Sequence, residues 1–144
     1  MMWRISPVFF SATLLIIPAR EKSKRIKLKN IKKFCGKSMI YYPIEEAIKS
    51  NLFDKIHIST DSILIKRKIE KINLKIEFLK NKKLANDRIG LLDVIQNVNQ
   101  IFEKKNEIYD EIWCMLPCNP LIKSIDLINA AKFFQSKKSR PVVS

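Results

Sequence analysis

The chain is poor in glycine, with only Gly36 and Gly90 in 144 residues. A dinucleotide fingerprint of the form GxGxxG needs three glycines and is excluded by count, and no GxxxxGK[ST] phosphate loop is present. Histidine occurs once, as His57, inside the apolar stretch KIHIS. A packed strand residue is the reading that this setting favours over a metal ligand. Cysteine occurs three times, at Cys35, Cys114 and Cys118, an odd count whose spacing fits no zinc or redox motif. Reduced thiols in a cytoplasmic protein are expected. Acidic residues are outnumbered, 14 against 28 basic, for a formal net charge of +14. No apolar run is long enough to cross a membrane.

The N-terminal segment MMWRISPVFFSATLLIIPA imitates a secretion signal, with Arg4, an apolar run and a small residue at Ala19. Cleavage near Ala19 would cut into a basic loop, so a buried first strand is the better account of Thr13 to Ile17. Residues 1–12 then form an extension of unassigned role, and residues 13–144 the domain. The positive charge makes nucleic acid, nucleotides or anionic surfaces plausible partners. The lysines are spread along the chain, and no helix-turn-helix, zinc-finger or aromatic RNA-binding signature accompanies them. Neither a nucleic acid nor a membrane is expected as partner.

What is present is an alternation of strand and helix. Thr13–Ile17 is a continuous apolar run, as expected for a strand buried on both faces. A helix is expected from about Met39 to Ser50, with Ile40, Ile44, Ala47 and Ile48 on one face and Pro43 restricting its first turn. Lys55–Ser59 reads as the second strand. Asp61 is placed to cap a helix to about Ile72, carrying Ile63, Leu64, Ile65 and Ile69. Lys75–Leu79 reads as a third strand, Gly90 to about Lys104 as a third helix, and Glu111–Leu116 as a fourth strand. Ser124 caps a helix to about Gln135, and Pro141–Ser144 begins a further strand. This order implies an α/β protein with a mainly parallel sheet covered on both faces. Ligands of such sheets sit at the carboxyl ends of the strands.

At the first of those ends lies about twenty residues without an obvious element, holding Arg20, Lys22, Lys24, Arg25, Lys27 and Lys29. Compact domains rarely keep such a loop unless it works. An arginine fork and several lysines suit a polyphosphate, and a solvated basic surface is the alternative.

The same residues carry a resemblance. The pattern IPAR-x-x-SKRI-x-x-KNI-x-x-F-x-GK-x-MI resembles the N-terminal signature of the acylneuraminate cytidylyltransferases, which include enzymes acting on pseudaminic and legionaminic acids. FDKIHISTDS, KKLANDRIGLLDVI and MLPCNPLIKSIDLINAA agree in order, so the resemblance runs from Leu14 to Ser144. It implies a Rossmann-like three-layer nucleotidyltransferase fold, truncated at the C-terminus. It implies transfer of CMP from CTP to a nine-carbon sugar acid with release of pyrophosphate, in the cytoplasm, for cell-surface glycans such as lipopolysaccharide. Carried over by position, Arg20, Ser23 and Lys29 meet the triphosphate, with Arg20 and Lys29 catalytic. Lys24 and Arg25 flank it, Asn30 reads the cytosine edge, and Lys80 stands near the base in place of an arginine. Magnesium is the implied cofactor, with no ligands assigned in this chain, and the implied assembly is a homodimer.

Departures from the family pattern are Glu21-Lys22 for a glycine pair, Gly90-Leu91 for a hydroxyl pair, and Leu116 and Ile122 at polar positions. The family's sugar-binding continuation, pairing element and magnesium-binding aspartates are expected beyond Ser144. Asp61 and Asp93 read as helix residues, and neither they nor Asp87 replace that metal site. Rival readings are a 3-deoxy-octulosonate cytidylyltransferase, a non-catalytic remnant that at most binds nucleotide, and a basic nucleic-acid-binding module.

Overall fold

A computed structural model describes residues 12–22, 26–81 and 89–136. Three parallel strands, β1 (Thr13–Pro18), β4 (Lys55–Ser59) and β5 (Glu111–Cys114), form the central sheet in the order β4-β1-β5. Between β1 and β4 lie a short 3-10 turn (Lys29–Ile31), the small hairpin β2 (Lys33–Phe34) and β3 (Lys37–Ser38), and helix α1 (Tyr41–Ser50). Helices α2 (Ile63–Glu70) and α3 (Leu91–Lys104) connect β4 to β5, and α4 (Ser124–Ser136) follows β5.

The apolar run of β1 occupies the middle of the sheet, and Leu14, Leu15, Ile16 and Ile17 are each 0% exposed. Side chains alternate across a strand, so this one run feeds two cores. Leu15 and Ile17 pack with Ile40, Ile44 and Ala47 of the α1 region, Ile65 and Ile69 of α2, and Leu127 of α4. Leu14 and Ile16 pack on the other face with Val98 and Phe102 of α3. Leu15 is in register with Ile56 of β4, and Ile16 with His57. That register keeps the division across strands, with Ile56 on the first face and His57 against Phe78 on the second.

Several boundaries differ from expectation for local reasons. Helix α1 begins at Tyr41 because the backbone N–H groups of Met39 and Ile40 are bonded back to Lys32 and Asn30. Pro43 then falls in the first turn, where its missing N–H costs nothing. Ile48 is 53% exposed and leaves the apolar face that the sequence assigned to it. Helix α2 is capped by Ser62 rather than Asp61: Ser62 is extended (φ −96°, ψ 120°), and its Oγ accepts from the Ile65 N–H at 3.2 Å. Asp61 stands one residue too early for that contact. Ile63 and Leu64 are exposed, leaving Ile65 and Ile69 as the buried pair of α2.

Lys75–Leu79 forms no strand. The sequence alternation is not kept: Ile76 packs in the first core and Phe78, two residues on, against the second, whereas a regular strand would turn both to one face. Its neighbour Lys80 donates its N–H to the Thr60 carbonyl at 2.7 Å, beyond the end of β4. Burial of these two side chains in opposite cores holds it, without a ladder. The expected strand at Pro141–Ser144 lies outside the described residues.

A cationic cleft at the carboxyl ends of the strands

β1 ends at Pro18, and the Ala19 N–H continues toward β4 by donating to the Ser59 carbonyl at 2.9 Å. Arg20 therefore leaves the sheet at its carboxyl edge and is exposed. It opens onto a cleft of about 240 Å³ lined by Pro18, Arg20, Lys80, Ile89, Gly90, Leu91, Val94 and Leu116. The first turn of α3 forms one wall, and a helix N-terminus favours anions. Asp93 offsets part of that charge by accepting the Gly90 N–H at 2.8 Å.

Lys80 is the cleft's buried cation, 7% exposed. Burial lowers its pKa, the nearby Asp61 carboxylate opposes that shift, and the Arg20 charge adds to it. An incoming anion would relieve the burial penalty of the ammonium by pairing with it. Arg20 and Lys80, about sixty residues apart in sequence, thus reach one site because strands β1 and β4 are neighbours.

Asn30 is 8% exposed and sits beside this cleft rather than lining it. Its Nδ2 donates to the Arg20 carbonyl at 2.8 Å, and its Oδ1 accepts from the Cys118 thiol at 3.1 Å. An amide carries two N–H donors and two lone pairs, so one of each remains. Cys118 comes from the loop after β5, and its pKa is raised by burial and pulled back by the charge of nearby Lys29. Lys29 itself is exposed. Ser23, Lys24 and Arg25 lie outside the described residues, as does Asp87.

Glu21, the acid at a glycine position of the resembling family, turns away from the cleft. Its carboxylate accepts a hydrogen bond from the Ser62 hydroxyl at the start of α2. A negative charge there complements the helix dipole. Ser62→Ala removes both the cap and this tie. We expect a loss of about 1 kcal/mol of stability, read from urea unfolding midpoints.

Sequence reasoning singled out Arg20, Asn30 and Lys80; the structure brings Arg20 and Lys80 to one cleft and sets Asn30 beside it, and it adds an apolar wall of Pro18, Ile89 and Val94 that sequence reasoning missed. Those residues carried no signal beyond hydrophobicity. Among the described residues no group of three His, Cys, Asp or Glu side chains is placed to hold a metal ion. No such cluster stands ready for the magnesium ion that the family resemblance implies, an ion that one or two carboxylates and the substrate's phosphates commonly hold.

A parallel sheet with helices on both faces and cations gathered at its carboxyl edge defines a nucleotidyltransferase-like α/β domain. The fold matches a solved CMP:2-keto-3-deoxy-manno-octonic acid synthetase complexed with CTP, with a TM-score of 0.72 at 18% identity, over 91% of this chain and 50% of that one. The family model described as cytidylyltransferase matches residues 14–138, and the chain belongs to that family. A pseudaminic acid cytidylyltransferase of Campylobacter jejuni is 39% identical over 126 residues, which cover 86% of this chain and 54% of the relative. An N-acylneuraminate cytidylyltransferase of Escherichia coli is 30% identical over 132 residues, covering 91% and 30%. The chain thus spans about half the length of the first of these relatives and under a third of the second.

Proposed function

We propose that this chain is the nucleotide-binding part of a cytidylyltransferase that transfers CMP from CTP to a nine-carbon sugar acid and releases pyrophosphate. The convergence of Arg20 and Lys80 on one cleft at the mouth of a parallel sheet carries the reading. The anomeric hydroxyl of the sugar acid attacks the α-phosphorus, and the bond to the pyrophosphate breaks. Negative charge gathers on that leaving group, and preorganised cations stabilise it. Arg20 does so with a planar fork, and Lys29 adds charge from the loop's other end. Lys80 holds the nucleotide from inside the cleft. Ser23 and Lys24 are assigned to the triphosphate on the family signature, and the remaining N–H and lone pair of Asn30 to the cytosine edge. Named relatives that act on pseudaminic and acylneuraminic acids support a sugar acid of that class as acceptor.

The same reading puts the reaction in the cytoplasm, in a homodimer, feeding cell-surface glycan synthesis. No helix among the described residues is long and apolar enough to cross a membrane. The test is calorimetric titration with CTP and magnesium against an ATP control, followed by a pyrophosphate-release assay with several sugar acids. CTP-selective binding is expected. A folded chain that ignores CTP would overturn the proposal and leave a remnant that shares only the fold.

A further inference from the structure

The chain around Arg20 is held at three points, two through its backbone and one through the Glu21 side chain. Ala19 is bonded to Ser59 of β4, Glu21 to Ser62 of α2, and the Arg20 carbonyl to the Asn30 amide. The last tie joins residues ten positions apart, and it comes from a side chain whose residue is only 8% exposed. Asn30 is itself held twice more, by the Cys118 thiol on Oδ1 and by the Ile40 N–H on its backbone carbonyl at 2.9 Å. A buried amide bonded through both ends cannot turn over without leaving polar groups unpaired, which fixes its orientation. Anchoring of its main chain adds precision to an exposed arginine, whose side chain is long and rotamer-rich.

We propose that Asn30 is a positioning residue for Arg20, setting where the guanidinium meets the triphosphate. The assignment rests on the CTP reading above and goes beyond it. It gives Asn30 a task that does not depend on the base. An Asn30 that only reads cytosine would matter to CTP and not to a bare polyphosphate. An Asn30 that holds Arg20 matters to both.

Binding of CTP and of inorganic tripolyphosphate is measured by calorimetry for the wild-type chain, Asn30→Ala and the nearly isosteric Asn30→Asp. Melting curves show which variants fold, and the Asp variant decides if the Ala variant does not. Tripolyphosphate binding is expected to weaken about tenfold, the worth of one buried hydrogen bond, and CTP binding by at least as much. Adding Asn30→Ala to Arg20→Ala is expected to cause no further loss of tripolyphosphate affinity, because on that ligand the two act through one contact. Unligated Asn30 variants are expected to exchange the amides of residues 20–22 faster in deuterium. Loss of CTP binding with tripolyphosphate binding unchanged would overturn the assignment alone, as would additive losses of tripolyphosphate binding in the double variant or unchanged exchange. A wild-type chain that binds neither ligand overturns this assignment and the proposed function together.

Discussion

Arg20→Ala is expected to weaken CTP binding at least about a hundredfold while leaving the unfolding midpoint in place. Each hydrogen bond between a guanidinium and a phosphate oxygen contributes about 1.5–3 kcal/mol, and the fork makes two. The side chain is exposed, so its removal opens no cavity. Arg20→Lys keeps the charge but loses the fork, and its affinity should fall between those of the wild type and the alanine variant. Calorimetric titration paired with urea unfolding separates the two effects. Unchanged affinity in the alanine variant would remove the loop after β1 from the proposed mechanism.

The second large effect concerns stability. His57 is 2% exposed, stacks on Phe78 at 4.3 Å between ring centroids and meets the edge of Phe102 at 5.4 Å. Its Nε2 has no hydrogen-bond partner. Burial lowers its pKa from 6.5 to about 4, with the Glu77 charge opposing and the Lys55 and Lys105 charges adding. In the unfolded chain the same imidazole protonates at its ordinary value. Between those two pKa values the unfolded state binds more protons, so stability falls as the pH drops through that window. The gap corresponds to about 3 kcal/mol when fully traversed.

Glu77 and Glu107 act lower on the scale. Hydrogen bonds from Lys55 hold both carboxyls below the usual 4.5, so the stability they contribute is lost only under stronger acid. His57→Phe should therefore flatten the decline from about pH 6.5 to 4.5 and leave the steeper loss below it. Urea midpoints at several pH values would show this. A variant that keeps the wild-type slope would show that other groups control the acid response.

The strand assignments that survived came from runs with one dominant physical demand. TLLII has no polar residue to place outward after its first position, and KIHIS has a single imidazole that stacks inside. The assignments that failed rested on local signals that distant groups overrode. Lys75–Leu79 alternates like a strand, yet side-chain burial rather than a ladder holds it. Asp61 is as good a cap by type as Ser62, and only the extended backbone at Ser62 decides between them. Ile48 and Leu64 have helical spacing, but no neighbouring element among the described residues arrives to cover them.

The residues themselves determined the alternation of strands and helices, the family signature and the gathering of basic side chains after β1, because periodicity and residue chemistry are local properties. The tertiary structure alone decided that Arg20 and Lys80 share a cleft, since that follows from β1 and β4 being neighbours in the sheet. It also decided that Glu21 turns to Ser62 and that Asn30 is clamped between Arg20 and Cys118. Those contacts join residues ten to eighty-eight positions apart, and no local pattern carries the distance between them.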